Sequence, residues 1–369
     1  MQQVNAAIAA GTWPSPPLPH LFGWGRNNQG QLGLNNITDY SSPKQVGSLT
    51  TWLKLSTGYG FSSGVKTDGT LWTWGYNAFG NLGLGNATSY SSPKQVGALT
   101  NWLNVSSQYV SVAAIKTDGT LWTWGDNGTG TLGLGDTANR SSPVQVGSLT
   151  TWSKVVCVRA VLAIKTDGTL WSWGYGVFGG LGLGNTTNYS SPKQVGSLTN
   201  WSDLAVGYNN GPTFAIKTDG TLWSWGSNYL GGLGLGNTTD YSSPKQVGAL
   251  TTWLKISAGQ YRGVAIKTDG TLWSWGQGSN GALGLGNTTN YSSPKQVGSL
   301  TTWYNISTGR GFSLSTKTDG TLWSWGQNNQ GQLGTGNTTQ YLSPVQVGAL
   351  TTWLTVAAGY RQSLGIALT

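Results

Sequence analysis

The sequence predicts an all-β fold, a seven-bladed β-propeller built from four-stranded antiparallel blades. Three landmarks, each repeated seven times about every 50 residues, support this prediction. The first is a Trp-Gly pair, with its tryptophans at Trp24, Trp74, Trp124, Trp173, Trp225, Trp275 and Trp325. The second is the motif S-P-x-Q-V-G, and the third is a lone tryptophan nine positions after its proline. A period of this length is typical of propellers and solenoids.

Each unit contains four predicted strands. The lone tryptophan opens the first strand, residues 52–56, and residues 61–67 form a second β-rich run. Asp68-Gly69 joins this run to a third, residues 70–74, and predicts a type I′ hairpin turn with positive φ at both central positions. The fourth strand is short, as in residues 43–46, and begins at a proline, where a missing N–H is tolerated. Helix signals are nearly absent because Gly, Thr and β-branched residues fill most windows.

One blade is predicted to form from both ends of the repeated region. Residues 21–24 match the third strand of the other units, but no second strand precedes them. Residues 363–368 match that second strand, and Thr369 takes the position of the turn aspartate. We therefore expect a single propeller domain over residues 20–369, closed by pairing of its N- and C-terminal strands.

Residues 1–19 lie outside the repeats. Trp13 and Pro14 open the segment W-P-S-P-P, which favours a stiff spacer of polyproline type. We interpret residues 1–19 as an N-terminal arm that anchors the propeller, with a frayed terminus as the alternative. The first residues lack a basic segment followed by a long apolar run, so a secretory signal peptide is not expected. No apolar run approaches the roughly 20 residues that span a bilayer.

The charge composition suggests partners without locating a site for them. The chain has a net charge of +9, although only 8% of its residues are charged. An excess of this kind points to nucleic acid, acidic polysaccharide or anionic lipid. The lysines recur in K-T-D-G and S-P-K-Q, however, so they spread around a ring, which favours a solvated surface. Cys157 is the single cysteine, so neither a disulfide framework nor a cysteine-based metal site is expected.

The combination of T-D-G-x-L-W-x-W-G, G-x-L-G-L-G-N and S-P-x-Q-V resembles the repeats of the regulator of chromosome condensation family over residues 20–369. The resemblance implies a seven-bladed propeller. The best-known member exchanges guanine nucleotides on a small GTPase through an acidic wedge, and a plant relative senses UV-B through tryptophans beside G-W-R-H-T motifs. Neither feature occurs among these units of 49 to 52 residues, so neither activity is expected. Near-identical repeats poor in Glu resemble those of bacterial surface proteins and phage particle proteins.

Two stretches vary among the units. The stretch from the lone tryptophan to the turn aspartate spans 15, 16 or 18 positions, and the five residues after Trp-Gly also differ. In an up-and-down meander both stretches emerge on one face, and loops on a rigid scaffold commonly carry binding residues. The predicted partner-binding residues around the central opening are Tyr59, Phe61, Tyr109, Arg159, Tyr208, Asn209, Tyr261, Arg262, Arg310, Phe312, Tyr360 and Arg361. Neutral drift in soluble loops is the alternative.

We expect no catalytic site, no metal site and no cofactor. Six of the eleven aspartates lie in the repeated turns, and the other five are scattered along the chain, with Asp126 and Asp136 in one unit. A Ser-His-Asp or Cys-His arrangement would have to use His20, the only histidine. The glycines of G-L-G-L-G-N open no helix, so they do not predict a phosphate-binding loop.

These observations predict a non-enzymatic interaction or display protein. We expect it in a virion or at a cell surface, attached to a larger assembly through the N-terminal arm or the constant face. The variable loops would then meet a glycan or protein receptor. Two alternatives stay open: a basic nucleic-acid or chromatin binder, whose binding would weaken steeply with salt, and a passive decoration subunit.

Overall fold

The structure is a computed structural model that describes residues 17–369 as seven four-stranded antiparallel sheets. The strands are numbered in chain order, and the chain opens with β1 (Pro19–Gly25) and β2 (Tyr40–Gln45). Blade 1 comprises β3 (Trp52–Thr57), β4 (Phe61–Lys66), β5 (Leu71–Gly75) and β6 (Tyr90–Gln95). Blade 2 comprises β7 (Trp102–Gln108), β8 (Ser111–Lys116), β9 (Leu121–Gly125) and β10 (Arg140–Gln145). Blade 3 comprises β11 (Trp152–Cys157), β12 (Ala160–Lys165), β13 (Leu170–Gly174) and β14 (Tyr189–Gln194).

The remaining blades repeat this pattern. Blade 4 comprises β15 (Trp201–Val206), β16 (Pro212–Lys217), β17 (Leu222–Gly226) and β18 (Tyr241–Gln246). Blade 5 comprises β19 (Trp253–Ala258), β20 (Arg262–Lys267), β21 (Leu272–Gly276) and β22 (Tyr291–Gln296). Blade 6 comprises β23 (Trp303–Thr308), β24 (Phe312–Lys317), β25 (Leu322–Gly326) and β26 (Tyr341–Gln346). Blade 7 adds β27 (Trp353–Ala358) and β28 (Gln362–Leu368) to β1 and β2, and the 3-10 helices are η1 (Val177–Gly179), η2 (Tyr229–Gly231) and η3 (Ser279–Gly281).

The blades close into a ring. The first strand of each blade contacts the first strand of the next, and β27 contacts β3, so these seven strands surround the axis. In blade 7, β28 pairs with β1 from Pro19 opposite Leu368 to Gly25 opposite Gln362. Both the all-β propeller and its closure by the N- and C-terminal strands are therefore confirmed.

The hydrophobic core lies between neighbouring blades. In six blades the tryptophan that opens the first strand packs edge-on against the two tryptophans of its own third strand, as Trp253 does against Trp273 and Trp275, and in blade 7 Phe22 replaces one of them. Trp275 is fully buried and donates from Nε1 to the Gly232 carbonyl of blade 4 at 3.1 Å. An aromatic side chain that buries about 150–250 Å² contributes roughly 4–6 kcal/mol at about 25 cal/mol per Å². Repetition of W-x-W therefore supplies both the core and the joints of the ring.

The Asp-Gly turns differ from the predicted type. Only Gly69 has a positive φ, +75°, and Asp68 does not. Gly69 N–H bonds the Lys66 carbonyl, and Lys66 N–H bonds the Thr70 carbonyl, so the hairpin has a longer loop with one left-handed glycine. The type I′ prediction is wrong because the Asp68 carboxylate instead accepts hydrogen bonds from the Thr70 N–H and hydroxyl, at 2.9 and 2.6 Å.

The fourth strand of each blade begins earlier than the sequence pattern predicted. In blade 7 it starts at Tyr40, and Pro43 lies inside it. The register of β2 against β1 shifts between Gly23 and Gly25, opposite Lys44 and Tyr40. Proline is tolerated there because β2 is an edge strand with an irregular ladder.

The propeller has two distinct faces. The constant face comprises the Asp-Gly turns and the V-G-[SA]-L-T connections. Backbone hydrogen bonds join the turns to the connections, as between the Thr67 N–H and the Thr51 carbonyl at 2.8 Å. The chain segments at Leu18 and Thr369 also pair on this face. The variable face comprises the inner loops, between first and second strands, and the outer loops, between third and fourth strands.

Candidate binding face

The two kinds of variable loop are joined by backbone hydrogen bonds. Tyr76 N–H of an outer loop bonds the Gly60 carbonyl of the inner loop at 2.9 Å, and Arg26 N–H bonds the Arg361 carbonyl at 3.0 Å. Five of the seven outer loops are stiffened by a buried asparagine, as in blade 4, where Asn228 accepts from Leu233 N–H and donates to the Asn237 carbonyl. The predicted sharing of one face by both loop sets is therefore confirmed.

An arc of tyrosine and arginine side chains borders the axis on this face, and we call it the mouth. Tyr59 packs against Tyr360 at 4.6 Å and against Tyr109 at 6.1 Å between ring centroids. Arg159 lies over the Tyr109 ring at 4.3 Å and donates to its hydroxyl at 2.7 Å. Four predicted residues from the seventh, first, second and third blades thus form one continuous surface.

The mouth continues through blades 5 to 7. Arg310 donates from Nε to Gln260 Oε1 at 2.9 Å and also bonds the Tyr360 hydroxyl. Its guanidinium lies 4.7 Å from the Tyr360 ring, and that of Arg361 lies 5.7 Å from the same ring. Stacking of this kind orients each guanidinium while its remaining N–H donors stay available.

Four of the predicted binding residues have buried side chains, so a partner cannot touch them in this structure. They are Phe61, Tyr208, Arg262 and Phe312. Three of them open the second strand of their blade, where the side chain points between blades instead of towards solvent. Side chains alternate between the two faces of a strand, so a shift of one position along the strand decides whether a side chain is buried or exposed.

Arg262 holds two blades together. Its guanidinium donates to the carbonyls of Gly309, Arg310 and Phe312 in blade 6, at 2.9, 2.8 and 2.7 Å. Burial lowers the pKa of Arg262 from 12.5 to about 10, which leaves the side chain charged at neutral pH. Gln362 occupies the same position in blade 7 and donates to the Gly58 carbonyl of blade 1 at 2.8 Å.

Tyr208 closes the axial opening. It belongs to the longest inner loop, residues 207–211, and its hydroxyl donates to the Ala358 carbonyl of blade 7. Burial raises the pKa of Tyr208, and a hydrogen bond with Thr57 of blade 1 opposes that rise. The side chain therefore plugs the ring and is not a surface contact.

A groove of about 790 Å³ lies beside the mouth, over blades 3 to 5. Two predicted residues, Asn209 and Tyr261, line it, together with side chains that the sequence reasoning did not single out: Phe178, Asn210, Ser227, Tyr229, Thr238, Thr239 and Asp240. Most of these belong to the outer loops, whose variation after Trp-Gly is visible in the sequence. A second cavity, of about 170 Å³, lies at the mouth and is lined in part by Arg26, Tyr59, Tyr76 and Tyr360.

The lysines lie away from the mouth. On the constant face, Lys116 lies 3.6 Å from the centroid of the Trp122 ring, and burial lowers the pKa of this lysine. On the outer strands, Lys94 lies 5.4 Å from the Tyr90 ring. In residues 17–369 the two ion pairs are Arg140 with Asp136 and Lys154 with Asp203. Neither involves an arginine of the mouth, so the positive charge there is uncompensated by a close carboxylate.

The groups considered for catalysis lie apart. His20 Nδ1 contacts the Thr369 hydroxyl on the constant face, at 2.8 Å. Cys157 is buried, which raises the pKa of its thiol. Within residues 17–369 no three His, Cys, Asp or Glu side chains form a group that could hold a metal ion. No helix in the same range is long and apolar enough to cross a membrane. The predicted anchoring residues Trp13 and Pro14 lie outside the described residues.

Comparisons with known proteins agree on the architecture. Solved structures with this fold include human WBSCR16, at 20% identity and a TM-score of 0.84 over 95% of this chain and 99% of that chain. Prp20p from Saccharomyces cerevisiae, described with its binding to Gsp1p and histones, matches at 19% identity and a TM-score of 0.84, covering 96% of this chain and 92% of that chain. Yeast RCC1 (Prp20) bound by Kap60 matches at 18% identity and 0.83, over 96% and 89% of the two chains. At these identities the likeness concerns the fold alone.

No curated protein matches the sequence. The repeat described as "Regulator of chromosome condensation (RCC1) repeat" matches seven times, at residues 20–65, 68–113, 118–159, 167–210, 219–266, 269–315 and 319–366. Each match spans the last two strands of one blade and the first two of the next, and together the matches extend over most of the chain. The protein therefore belongs to the family of regulator of chromosome condensation repeat proteins.

Proposed function

We propose that this propeller is a non-enzymatic binding protein whose mouth engages an anionic partner, either a carboxylated or sulfated glycan or an acidic protein surface. The observation that carries the proposal is the arc of Tyr360, Tyr59, Tyr109 and Arg159, continued by Arg310. Tyr and Arg are enriched in recognition surfaces because they combine large contact area with directional donors. An arginine held over a tyrosine ring is preorganised for carboxylate or sulfate.

The constant face supports attachment to a larger assembly such as a virion or cell surface. Each V-G-[SA]-L-T connection leaves its leucine well exposed: Leu49, Leu99, Leu149, Leu198, Leu250, Leu300 and Leu350. An apolar ring of this kind is typical of an interaction surface. Leu18, which precedes β1, pairs with Thr369 on the same face, so attachment there leaves the mouth free. Proteolytic footprinting of the native assembly tests this: protection of the variable face instead of the leucine ring would contradict it.

The family offers a second candidate, a nucleic-acid or chromatin binder. The net charge of +9 favours it, and a fold neighbour, Prp20p, is described as binding histones. The placement of the lysines argues for the first candidate, because Lys94 and Lys116 lie on the rim and the opposite face. A duplex-binding protein would lose affinity with a log–log salt slope of about −0.9 per phosphate contact.

The test compares two variants with the same loss of charge. Arg159→Gln with Arg310→Gln removes two cations from the mouth, and Lys94→Gln with Lys295→Gln removes two from the rim. We expect the mouth variant to bind sulfated and sialylated oligosaccharides or an acidic peptide at least tenfold more weakly, and the rim variant to bind as the wild type does. Equal losses in both variants, or tight salt-sensitive binding of duplex DNA, would exclude the proposed mouth.

A further inference from the structure

We propose that the groove over blades 3 to 5 is a binding site for a neutral oligosaccharide. The groove has a volume of about 790 Å³, within the roughly 300–1,000 Å³ that small-molecule sites enclose. This inference rests on the proposed binding function of the variable face and names the ligand class for a site distinct from the mouth.

The groove is a consequence of one length change in the sequence. Trp201 precedes its turn aspartate by 18 positions, more than any other unit, and the extra residues make the inner loop at 207–211. Tyr208 turns into the axis and leaves Asn209 and Asn210 on the groove wall. The longest inner loop of the variable face thus supplies both the side chain that fills the axial opening, Tyr208, and the polar residues Asn209 and Asn210 that line the groove.

Aromatic side chains also line the groove. Tyr229 and Phe178 have exposed fractions of 56% and 45%, high values for large aromatic residues. Tyr261 supports Tyr229 edge-on, with 4.9 Å between ring centroids. Phe178 has a φ of +59°, an unfavourable conformation for a bulky residue, yet its side chain gains no burial from it. The same positive φ occurs at Leu230 and Asn280, the equivalent positions of η2 and η3, so it belongs to this type of loop.

The polar groups of the groove are hydrogen-bonding and almost uncharged. Asn209, Asn210, Thr238 and Thr239 supply amides and hydroxyls, and Asp240 is the single ionisable acid. The Oδ1 of Asn210 is buried and accepts no hydrogen bond from any described residue. The Oδ1 of Asp240 accepts a hydrogen bond from the Asn228 N–H at 2.6 Å. This bond orients the carboxylate and leaves its second oxygen available to a ligand.

This combination fits the chemistry of sugars. A pyranose ring presents C–H groups that pack on aromatic faces, and hydroxyls that pair with amide and carboxylate oxygens. No lysine or arginine lines the groove, and Asp240 repels anions, so phosphates and acidic glycans are disfavoured. The walls are loops and not open strand edges, so a peptide cannot bind here by adding a strand.

The probe is an array of neutral oligosaccharides of glucose, mannose, galactose and N-acetylglucosamine, followed by calorimetry with the strongest binder. We expect Tyr229→Ala and Phe178→Ala each to weaken its binding on the order of fivefold to tenfold, since each removes a stacking face. Asp240→Asn should weaken binding while retaining the Asn228 contact. The matched control is Phe79→Ala, at the outer-loop position of blade 1 that matches Phe178 in blade 3, 38% exposed and outside the groove.

Each outcome decides the proposal. Binding that falls in the groove variants and not in Phe79→Ala, with unfolding temperatures unchanged, supports it. No binding of any neutral oligosaccharide at millimolar concentration, or binding insensitive to Tyr229→Ala and Phe178→Ala, overturns it. Binding of anionic probes that depends on Arg159 and Arg310 would persist in that case, so failure of the groove is distinguishable from failure of the mouth.

Discussion

The hydroxyl of Tyr208 donates a 3.2 Å hydrogen bond to the carbonyl of Ala358, which lies on the other side of the ring in blade 7. Most other contacts among the seven blades join only neighbouring blades. The Tyr208 contact joins blades that are not adjacent. It therefore resists separation of the ring in a way that no inter-blade core can.

Removing this contact should loosen the whole propeller. We expect Tyr208→Phe to lower the free energy of unfolding by about 1 kcal/mol, the net contribution of one buried hydrogen bond. Tyr208→Ala should cost about 3–5 kcal/mol because it also leaves a cavity. Chemical denaturation measures both. Tyr59→Phe is the control, since Tyr59 is exposed, and an equal loss there would refute a special role for Tyr208.

The glycines of G-x-L-G-L-G-N allow the joint between blades. A Cβ on Gly234 would lie 2.7 Å from Trp275 Nε1, and the residue has a φ of +75°. Gly248 has a φ of +61° but nothing within 4 Å of its Cβ position.

We therefore expect Gly234→Ala to destabilise by several kcal/mol, through both clash and strain, and Gly248→Ala by roughly 1 kcal/mol, through strain alone. Thermal unfolding of the two variants measures the difference. Equal losses of stability in the two variants would show that the contact between Gly234 and Trp275 can shift without cost.

Acid should weaken the repeated turns. In Asp269 the hydrogen bonds from the side chain and backbone of Thr271, in that order, lower the pKa below its usual 3.8. A carboxylate with a lowered folded-state pKa stabilises the fold above the unfolded value, and that stabilisation is lost as pH falls through the folded value.

We expect Asp269→Asn to be less stable than the wild type at pH 7, with a difference that shrinks below about pH 4. Denaturation curves from pH 7 to pH 3 test this. A constant difference across that range would show that the charge of Asp269 contributes nothing.

Arg262 should tolerate glutamine better than alanine. Arg262→Ala leaves the Gly309 and Arg310 carbonyls of blade 6 without this donor, at about 1–3 kcal/mol each, while the Phe312 carbonyl keeps the Gly309 N–H. Arg262→Gln retains an amide donor, as Gln362 does in blade 7. Urea unfolding should therefore rank the wild type above glutamine and glutamine above alanine. A glutamine variant as unstable as alanine would contradict the equivalence of the two positions.

The same arginine predicts an alkaline effect of the same sign as that of the aspartates, a stability that rises with pH. Because burial lowers its pKa from 12.5 to about 10, the unfolded chain binds more protons between these values. The stability of the wild type relative to Arg262→Gln should therefore rise with pH above about 10. A falling difference in this range would contradict burial as the cause of the shift.

Much of the architecture was predictable because its causes are local. The period of two in W-x-W places Trp72 and Trp74 on one side of their strand, and the seven repeats set the number of blades. The turn type was missed because it depends on a side chain: Asp68 caps Thr70, which selects a longer loop than Asp-Gly alone favours.

The candidate site was predictable as a face but not residue by residue. Phe178 and Tyr229 line the groove from outer loops whose variation is visible in the sequence. Their proximity to Tyr261, however, depends on how neighbouring blades pack against each other. The sequence pattern within one repeat does not indicate which of its side chains will contact side chains of another repeat.

By itself, the sequence determined the ring of seven blades, the order of strands and the closure by both termini. Those features follow from hydrophobic period and spacing, which act within one repeat. Only the tertiary structure decided which loop side chains are exposed. Tyr208 and Tyr360 both follow the glycine that opens an inner loop, yet two additional residues turn Tyr208 into the axis while Tyr360 stays at the mouth. Burial depends on neighbours brought together by the ring, and those neighbours are distant in the chain.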